Sequence, residues 1–416
     1  MKTCSNCHKQ FEDNFLFCPH CKHSPSESND LQSCSFEKRP QDLRDEQIVS
    51  SSVAQNKASS EKSKCSRFHG PKSYKSRRIR IARRIVLSCL CFVLVLTVSI
   101  GAFGYYYFNY MLGLIGRDEN FNSLNSDDIG ISSDTHTDDS IINIALFGTD
   151  SRQNNDNGRA DAQLILTIDK KHNKIKLTSI ARDTKVKVDG YGYQKITNAW
   201  RFGAMSKNKN VTASSLAVKT INQNFNVDIM DYVEVNFFQF ADIIDYLGGV
   251  ELDVDASEKK VMNNTYISYI NDMGIKCKPI TKTGLQLLSG GQALAYARNR
   301  YSGSGDIARG GRQREVLIAI YEKFKDTSIT KYPSIISMVL PNCITSLTND
   351  EILDLAVWAA TNKPTIDQLS LPTDDLKAYG QTVNGAWHFV YDLDKASTIL
   401  HNFIYEPENT DKTQEK

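Results

Sequence analysis

The residues best suited to chemistry are arginines and aspartates gathered in short runs. The runs GTDSR, GRADAQ, SIARDT, YARNR and DIARGGRQ carry Asp150, Arg152, Arg159, Asp161, Arg182, Asp183, Arg298, Arg300, Asp306, Arg309 and Arg312. Arginine forks grip phosphate oxygens two at a time and stay charged at any working pH. Paired carboxylates hold hard divalent cations. A folded segment that gathers both handles a phosphate-bearing substrate with a metal ion. Any single Arg–Asp neighbour pair is more simply a surface ion pair worth under about 1 kcal/mol, so the set carries the reading and no lone member does.

A second constellation lies at the N-terminus. Cys4-x-x-Cys7 and Cys18-x-x-Cys21 are two thiolate knuckles separated by ten residues. Zn²⁺ takes four sulfurs tetrahedrally, and a head this small needs such help to fold. Four sulfurs leave no open coordination position, so the zinc is structural, and His8, His20 and His23 are bystanders. Only Lys2, Lys9 and Lys22 oppose Glu12 and Asp13 in the head. That is no nucleic-acid footprint. A cytosolic protein is the expected partner of the ribbon, and nucleic acid is not.

The elements that hold these groups follow from charge and hydropathy. The 416-residue chain is nearly balanced at +2, which hides a strong polarity. Lys72, Lys75, Arg77, Arg78, Arg80, Arg83 and Arg84 precede an uncharged run, Ile85–Phe108. Asp118, Glu119, Asp127, Asp128, Asp134, Asp138 and Asp139 follow it. The run exceeds the ~20 apolar residues that cross a bilayer, and the positive-inside rule puts the N-terminus in the cytoplasm. It lies too far from Met1 and is too long for a signal peptide. The expected organisation is a zinc ribbon (1–24), a disordered basic-ended linker (25–84), a transmembrane helix (85–108), an acidic extracellular stalk (109–139), a globular domain (140–405) and a disordered tail (406–416). The protein is then a single-pass cell-membrane protein with its globular domain outside, its basic run meeting membrane lipid. Cys277 and Cys343 lie beyond the span, either as a disulfide or as two thiols.

Within 140–405, residues 141–147, 162–169, 174–180, 232–237 and 250–254 read as strands. Residues 214–225, 238–247, 312–324, 351–360 and 392–403 read as helices, and Ser289 caps another that ends at the YARNR arginines. The fold class is α/β: a layered α/β/α domain with a central mixed sheet, plus the small zinc ribbon and one transmembrane helix. The apolar runs Leu164–Ile168 and Phe237–Ile244 suit either ordinary core or a tunnel. Trp200 and Trp387 read as core or pocket wall, and His388 as a packed histidine.

The outer domain resembles the LytR-CpsA-Psr family of cell-wall phosphotransferases from about Ile142 to Tyr391. NIALFGTDSR is similar to the family's opening strand, GRADAQLILTID to its Arg-x-Asp-Thr strand, and IKLTSIARDTKV to its Ser-Ile-Pro-Arg-Asp segment. YVEVNFFQFADIIDYLGGVELDV, GLQLLSGGQALAYARNR and DIARGGRQREVL follow in the family's order. Ala162 replaces the usual Thr, Ala181 the usual Pro, and Gly310–Gly311 a more polar pair; Lys195-Ile-Thr-Asn198 is a loose Lys-Ile-Asn motif. The resemblance implies transfer of a phosphoglycosyl polymer (teichoic acid, capsule or a related glycopolymer) from a polyprenyl-pyrophosphate carrier to a sugar hydroxyl of peptidoglycan. It also implies a lipid tunnel and Mg²⁺ at the pyrophosphate.

The residues fit that chemistry, because phosphoryl transfer is mostly positioning and electrostatics. Asp150 and Asp161 are assigned to Mg²⁺, directly or through water. Arg152, Arg182, Arg298, Arg300 and Arg309 clamp phosphates, with Arg159, Lys195 and Arg312 as further pyrophosphate contacts. Gln313 bonds a phosphate oxygen or orients Arg309. Asp183 or Asp306 is the base or arginine positioner for the incoming hydroxyl. Two other readings use the same features: a regulatory membrane sensor working through the ribbon, and a pyrophosphatase with water as acceptor.

Overall fold

The computed structural model describes residues 2–3, 10–11, 75–150, 158–303, 305–325, 343–383 and 385–405. The chain divides into two compact units, residues 1–77 and 78–416. In the first, β1 (Lys2–Thr3) and β2 (Gln10–Phe11) pair antiparallel, Lys2 opposite Phe11 and Thr3 opposite Gln10. They bracket the first cysteine pair. Cys4, Cys7, Cys18 and Cys21 themselves lie outside the described residues, as do most of the linker, Arg152 and the tail.

Helix α1 (Lys75–Leu112) runs from the basic cluster through the apolar run. Its stretch Val86–Leu112 is 27 residues long and contains an 18-residue window with a mean hydropathy of 2.6. At 1.5 Å per residue that is about 40 Å, more than the hydrocarbon core of a bilayer. The basic end of the expected linker is therefore helical from Lys75 onward, as its Lys, Arg, Ile and Ala content favours.

The expected acidic stalk is instead built into the domain. After α1 come β3 (Gly116–Arg117) and the short α2 (Glu119–Asn122), and Phe121 and Ile129 are buried in the main core. Asp118 caps α2 and accepts from Tyr232 Oη at 2.7 Å and Ser214 Oγ at 2.8 Å. Glu119, Asp127, Asp128, Asp134 and Asp139 are exposed on a segment whose spaced apolar side chains are anchored.

The domain proper continues with β4 (Ile141–Thr149), β5 (Ala160–Asp169) and β6 (Lys174–Ile180), then the hairpin β7 (Lys185–Val188) and β8 (Gly192–Lys195). Helices α3 (Thr197–Ala204) and α4 (Ala213–Phe225) precede β9 (Asp231–Asn236). Next come α5 (Phe237–Tyr246), β10 (Val250–Val254), α6 (Ala256–Val261), a π-helical turn at Met262–Tyr266 and α7 (Ile267–Asp272). β11 (Gly284–Leu288), α8 (Gly290–Arg298) and α9 (Asp306–Lys325) follow. β12 (Ile344–Thr345), α10 (Asn349–Asn362), β13 (Thr365–Leu371), the hairpin β14 (Tyr379–Val383) and β15 (Ala386–Val390), and α11 (Leu393–Tyr405) complete it.

One seven-stranded sheet runs in the order β13-β6-β5-β4-β9-β12-β3. It is mixed: β4–β9 and β6–β13 are parallel, β4–β5 and β5–β6 antiparallel. One face carries α3, α4 and α11 over a core of Ile165, Ile221, Phe225 and Leu400. On the other face, Ile168, Ile175 and Leu177 meet Leu317 and Tyr321 of α9 and Trp358 of α10. The arrangement is the expected α/β/α layering with a mixed central sheet. Helix α9 starts at Asp306, six positions before the apolar periodicity suggests. Its glycines break that periodicity but allow the close approach: a Cβ on Gly310 would lie 2.8 Å from Ser179 Oγ. Helices α5 and α8 cross even more tightly, since a Cβ on Gly290 would meet Ala241 O at 1.9 Å. The Ser289 cap accepts from Gln292 N, and Gln292 returns a bond to Ser289 N, as a capping box should.

Candidate active site

The site forms where the antiparallel strands bring distant motifs to one end of the sheet. Thr149 of β4 pairs with Ala160 of β5 across a bulge at Gly148/Thr149. Asp150 N donates to Arg159 O at 3.2 Å, and Arg159 N donates to Asp150 Oδ1 at 2.7 Å. Asp161 therefore lies at the start of β5, two residues from Arg159, which is bonded to Asp150. The end of β6 abuts the start of β5 and delivers Arg182 and Asp183 to the same edge. The first turns of α9 supply Asp306 and Arg309.

Arg182 is the hub. Its Nη1 bonds Asp161 Oδ1 at 2.7 Å, and its Nε lies 3.7 Å from Asp183 Oδ2 and 3.6 Å from Asp306 Oδ2. Arg309 Nη2 lies 3.3 Å from Asp306 Oδ1 and donates to Asp161 O at 3.3 Å. Lys195, at the end of β8, bonds Asp183 Oδ1 at 2.8 Å. Three cations and three carboxylates thus interlock. The network is not closed. Arg182 Nε, Asp306 Oδ2 and Arg298 Nη1 are buried without a hydrogen-bond partner among the described residues. Buried polar atoms are rarely left so; a phosphate would accept from the two guanidinium donors, and a cation-bound water would donate to the carboxylate.

Electrostatics agree. Burial pulls the Arg182 guanidinium down, but Asp161, Asp183 and Asp306 outweigh it and raise its pKa. Burial raises the Asp306 carboxyl above the usual range. Arg309 and Arg182 oppose that rise, and the neighbouring Asp183 carboxyl adds to it. Burial, reinforced by Arg182, lowers the Arg309 guanidinium. One charge more or fewer at this cluster is therefore strongly felt.

Beside the charges lies an apolar cavity of about 190 Å³, lined by Leu146, Ala162, Leu164, Val233, Phe240 and Leu294 among others. Its polar members are Arg298 and Gln313. Gln313 sits one helical turn beyond Arg309 on α9. The Arg298 guanidinium lies between the rings of Phe237 at 4.2 Å and Tyr269 at 5.0 Å. Cation–π contact holds the fork in place while leaving its donors for a ligand. Arg300 Nη2 bonds Tyr301 Oη at 3.0 Å, which raises its pKa, while Arg182 nearby lowers it. Tyr266, from the π-helical turn, accepts Arg300 N at 3.2 Å. Sequence reading missed Phe237, Tyr266, Tyr269 and Tyr301. Phe237 was one apolar residue in an apolar run, and of the tyrosines only Tyr301, adjacent to Arg300, offered a signal.

The structure separates Arg312 from the other arginines. Its guanidinium bonds Glu258 Oε1 at 2.7 Å, Asn299 O at 2.9 Å, Ser302 O at 3.1 Å and Ser302 Oγ at 2.7 Å. This fork is spent inside the protein, so its geometry is that of a brace for the Arg298–Ser302 segment. Arg159 is exposed, and it meets Asp150 through its backbone. Trp200 is core against Phe147, and His388 is buried with Nδ1 2.9 Å from Ala386 O. Trp387 is exposed instead of forming core or pocket wall, because it lies on a two-stranded hairpin outside the seven-stranded sheet. Cys277 and Cys343 lie in separate apolar clusters and are not joined as a disulfide.

A metal ion would meet hard donors here. Asp150 and Asp161 lie at adjoining strand ends, and Asp306 offers a buried, unpartnered oxygen. Among the described residues no group of three or more His, Cys, Asp or Glu converges into a metal cage. The donor set fits Mg²⁺ in its usual manner, held by one or two carboxylates and completed by phosphate oxygens and water.

Comparison with known proteins places this geometry. The sequence model of the LytR_cpsA_psr family matches residues 111–403. A polyisoprenyl-teichoic acid–peptidoglycan teichoic acid transferase TagU of Bacillus cereus is 30% identical over 251 residues, 60% of this chain and 73% of that protein. TagT of Bacillus subtilis, of the same description, is 26% identical over 337 residues, 78% of this chain and 94% of its own. Among solved structures, TagT bound to LIIa-WTA superposes with a TM-score of 0.51 at 26% identity, covering 68% of this chain and 97% of that one.

Proposed function

The chain belongs to the LytR_cpsA_psr family, and on that premise we propose that it is a membrane-anchored transferase. It moves a phosphoglycosyl polymer of the teichoic-acid kind from a polyprenyl-pyrophosphate carrier to a sugar hydroxyl of peptidoglycan. The observation that carries this reading is one juxtaposition. An Arg–Asp cluster with unsatisfied donors adjoins an apolar cavity, and Arg298 and Gln313 stand between them. An amphiphile with a pyrophosphate head and a prenyl tail has that shape and polarity.

In the reaction, Arg182, Arg298, Arg300 and Arg309 hold the pyrophosphate oxygens. The acceptor hydroxyl oxygen attacks the phosphorus that bears the glycan. The P–O bond to the bridging oxygen breaks and polyprenyl phosphate leaves. The hydroxyl proton passes to Asp183 or Asp306. Mg²⁺, held through Asp150 and Asp161, would neutralise charge on the pyrophosphate. Gln313, one turn from Arg309, bonds a phosphate oxygen or steadies that arginine. Arg152 and Arg159 fall in sequence between β4 and β5 and are assigned to the outer phosphate.

The apolar helix Val86–Leu112 supports a single-pass anchor, with the basic end in the cytoplasm and the domain outside. The four cysteines of the head make a structural Zn²⁺ ribbon whose partner is a cytosolic protein.

The test supplies the full chain in detergent with a short polyprenyl-pyrophosphate oligosaccharide, peptidoglycan oligomers and Mg²⁺. Products are followed by mass spectrometry. A glycan joined to peptidoglycan by a phosphodiester, lost with EDTA and in Asp161→Ala, is the expected result. Release of glycan phosphate into water, with no peptidoglycan product, would make it a pyrophosphatase instead.

A further inference from the structure

The donor cluster occupies one side of Asp183; the other side is occupied by the β7–β8 hairpin, which the reaction so far leaves idle. Its inward residues Val186 and Val188 are buried in the core. Its outward face carries Lys185, Lys187, Tyr193 and Lys195, since Lys185 pairs with Lys195 and Lys187 with Tyr193 and alternate residues share a face. Tyr193 is 60% exposed, so its ring is open to solvent. Lys185 Nζ sits 5.2 Å from its centroid. Tyr193 is two residues from Lys195 along the strand, and Lys195 is bonded to Asp183.

The hairpin is rigidly tied to the site. Ile196 N donates to Thr184 O at 2.9 Å, Thr197 N to Arg182 O at 3.2 Å, and Thr197 Oγ1 to Ala160 O at 2.7 Å. At its tip, Tyr191 stacks on Phe202 with ring centroids 4.3 Å apart. A face fixed to the catalytic loop, carrying one open aromatic ring among lysines, is suited to a ring-shaped, anionic ligand.

We propose that the outward face of this hairpin is the acceptor subsite, and that it binds the glycan strand of peptidoglycan, a polysaccharide bearing carboxylates. The proposal rests on the transferase reading above. Tyr193 stacks on the apolar face of a sugar ring. Lys185 and Lys187 meet acceptor carboxylates. Lys195 holds the Asp183 carboxylate toward the acceptor hydroxyl. That assigns Lys195 to the acceptor side instead of the pyrophosphate. It also selects Asp183 over Asp306 as the group that takes the hydroxyl proton, because Asp183 is the carboxylate tied to the hairpin through Lys195. Transfer needs the nucleophile and leaving group roughly in line through phosphorus. An acceptor on the hairpin and a prenyl tail in the cavity enter from different sides of the cluster.

The test compares wild type, Tyr193→Ala, Tyr193→Phe and Lys185→Gln as full chains in detergent. It measures KM for peptidoglycan oligomers, KM for the lipid-linked donor, and sedimentation with insoluble peptidoglycan. Tyr193→Ala should raise the acceptor KM about three- to tenfold, the scale of one aromatic contact, and weaken sedimentation by the same factor. The donor KM should not move. Tyr193→Phe should match wild type, since it keeps the ring. Unchanged acceptor KM and sedimentation in Tyr193→Ala, or an equal rise in donor KM, overturns the subsite while leaving the transferase reading intact. Weakened binding to anionic vesicles with unaltered acceptor KM also overturns it, making the face a membrane contact. Absence of any peptidoglycan product from wild type removes the transferase reading and the subsite together.

Discussion

Arg182 and Arg312 come from similar arginine-rich motifs and end in opposite circumstances. Arg312 is buried against Glu258, and its donors are consumed by Glu258, Asn299 and Ser302. Arg182 is equally central to a charge cluster, yet among the described residues its Nε has no hydrogen-bond partner, and neither has Asp306 Oδ2 beside it. The first arrangement is finished by the fold. The second is left for something the fold does not supply. The lesson is that saturation separates an arginine that braces from an arginine that binds.

The largest expected effect tests the braced side. Arg312→Met leaves Glu258 buried and unpaired, which should cost about 3–5 kcal/mol of stability. Denaturant unfolding measures it. The protein that remains folded should transfer at a rate within a few-fold of wild type, and a collapse of the rate at full stability would move Arg312 into the site. Arg182→Ala should do the reverse. Its rate should fall on the order of 10²–10³, as when one transition-state donor is lost, with unfolding changed far less than in Arg312→Met.

How much of this was legible beforehand differs between fold and site. The strands around Ile144, Ile165 and Leu177 and the capping box at Ser289 are local patterns, and they appear where periodicity puts them. The start of α9 was not legible, because Gly310 and Gly311 are poor helix formers, and only the close approach of Gly310 to Ser179 gives one of them a packing reason. Nor was the folding of residues 109–139, whose few apolar anchors are outnumbered by acids. The members of the site were readable as motifs. Their division into binders and braces was not, because Arg312 meets Glu258 from 54 positions away and Arg309 reaches Asp161 across 148.

Two smaller effects sharpen the contrast. Ala162 lines the apolar cavity, so Ala162→Leu should weaken long-chain prenyl carriers about tenfold, at about 0.8 kcal/mol per methylene displaced. Short-chain pyrophosphates should bind as before, and titration with both chain lengths checks it. Equal loss for both would mean the substitution disturbs the charged cluster.

Glu234 is a desolvated carboxyl with one partner, Thr149 Oγ1 at 3.0 Å, and burial raises it to about 7. Its folded-state value lies above its unfolded one, so its contribution to stability is full below about pH 4.3 and is lost as pH rises through 7. Unfolding of wild type and Glu234→Gln should diverge across that window, with a slope difference of up to about 1.4 kcal/mol per pH unit. Parallel profiles would mean that Glu234 is ionised in the folded protein.

The most direct test is single-turnover transfer by Arg182→Ala and Arg312→Met at equal folded concentration, with lipid-pyrophosphate oligosaccharide and peptidoglycan oligomers. Arg182→Ala should lose on the order of 10²–10³ in rate while Arg312→Met stays near wild type. A near-normal rate in Arg182→Ala would contradict that expectation, because the unsatisfied cluster would then not be where the pyrophosphate is held.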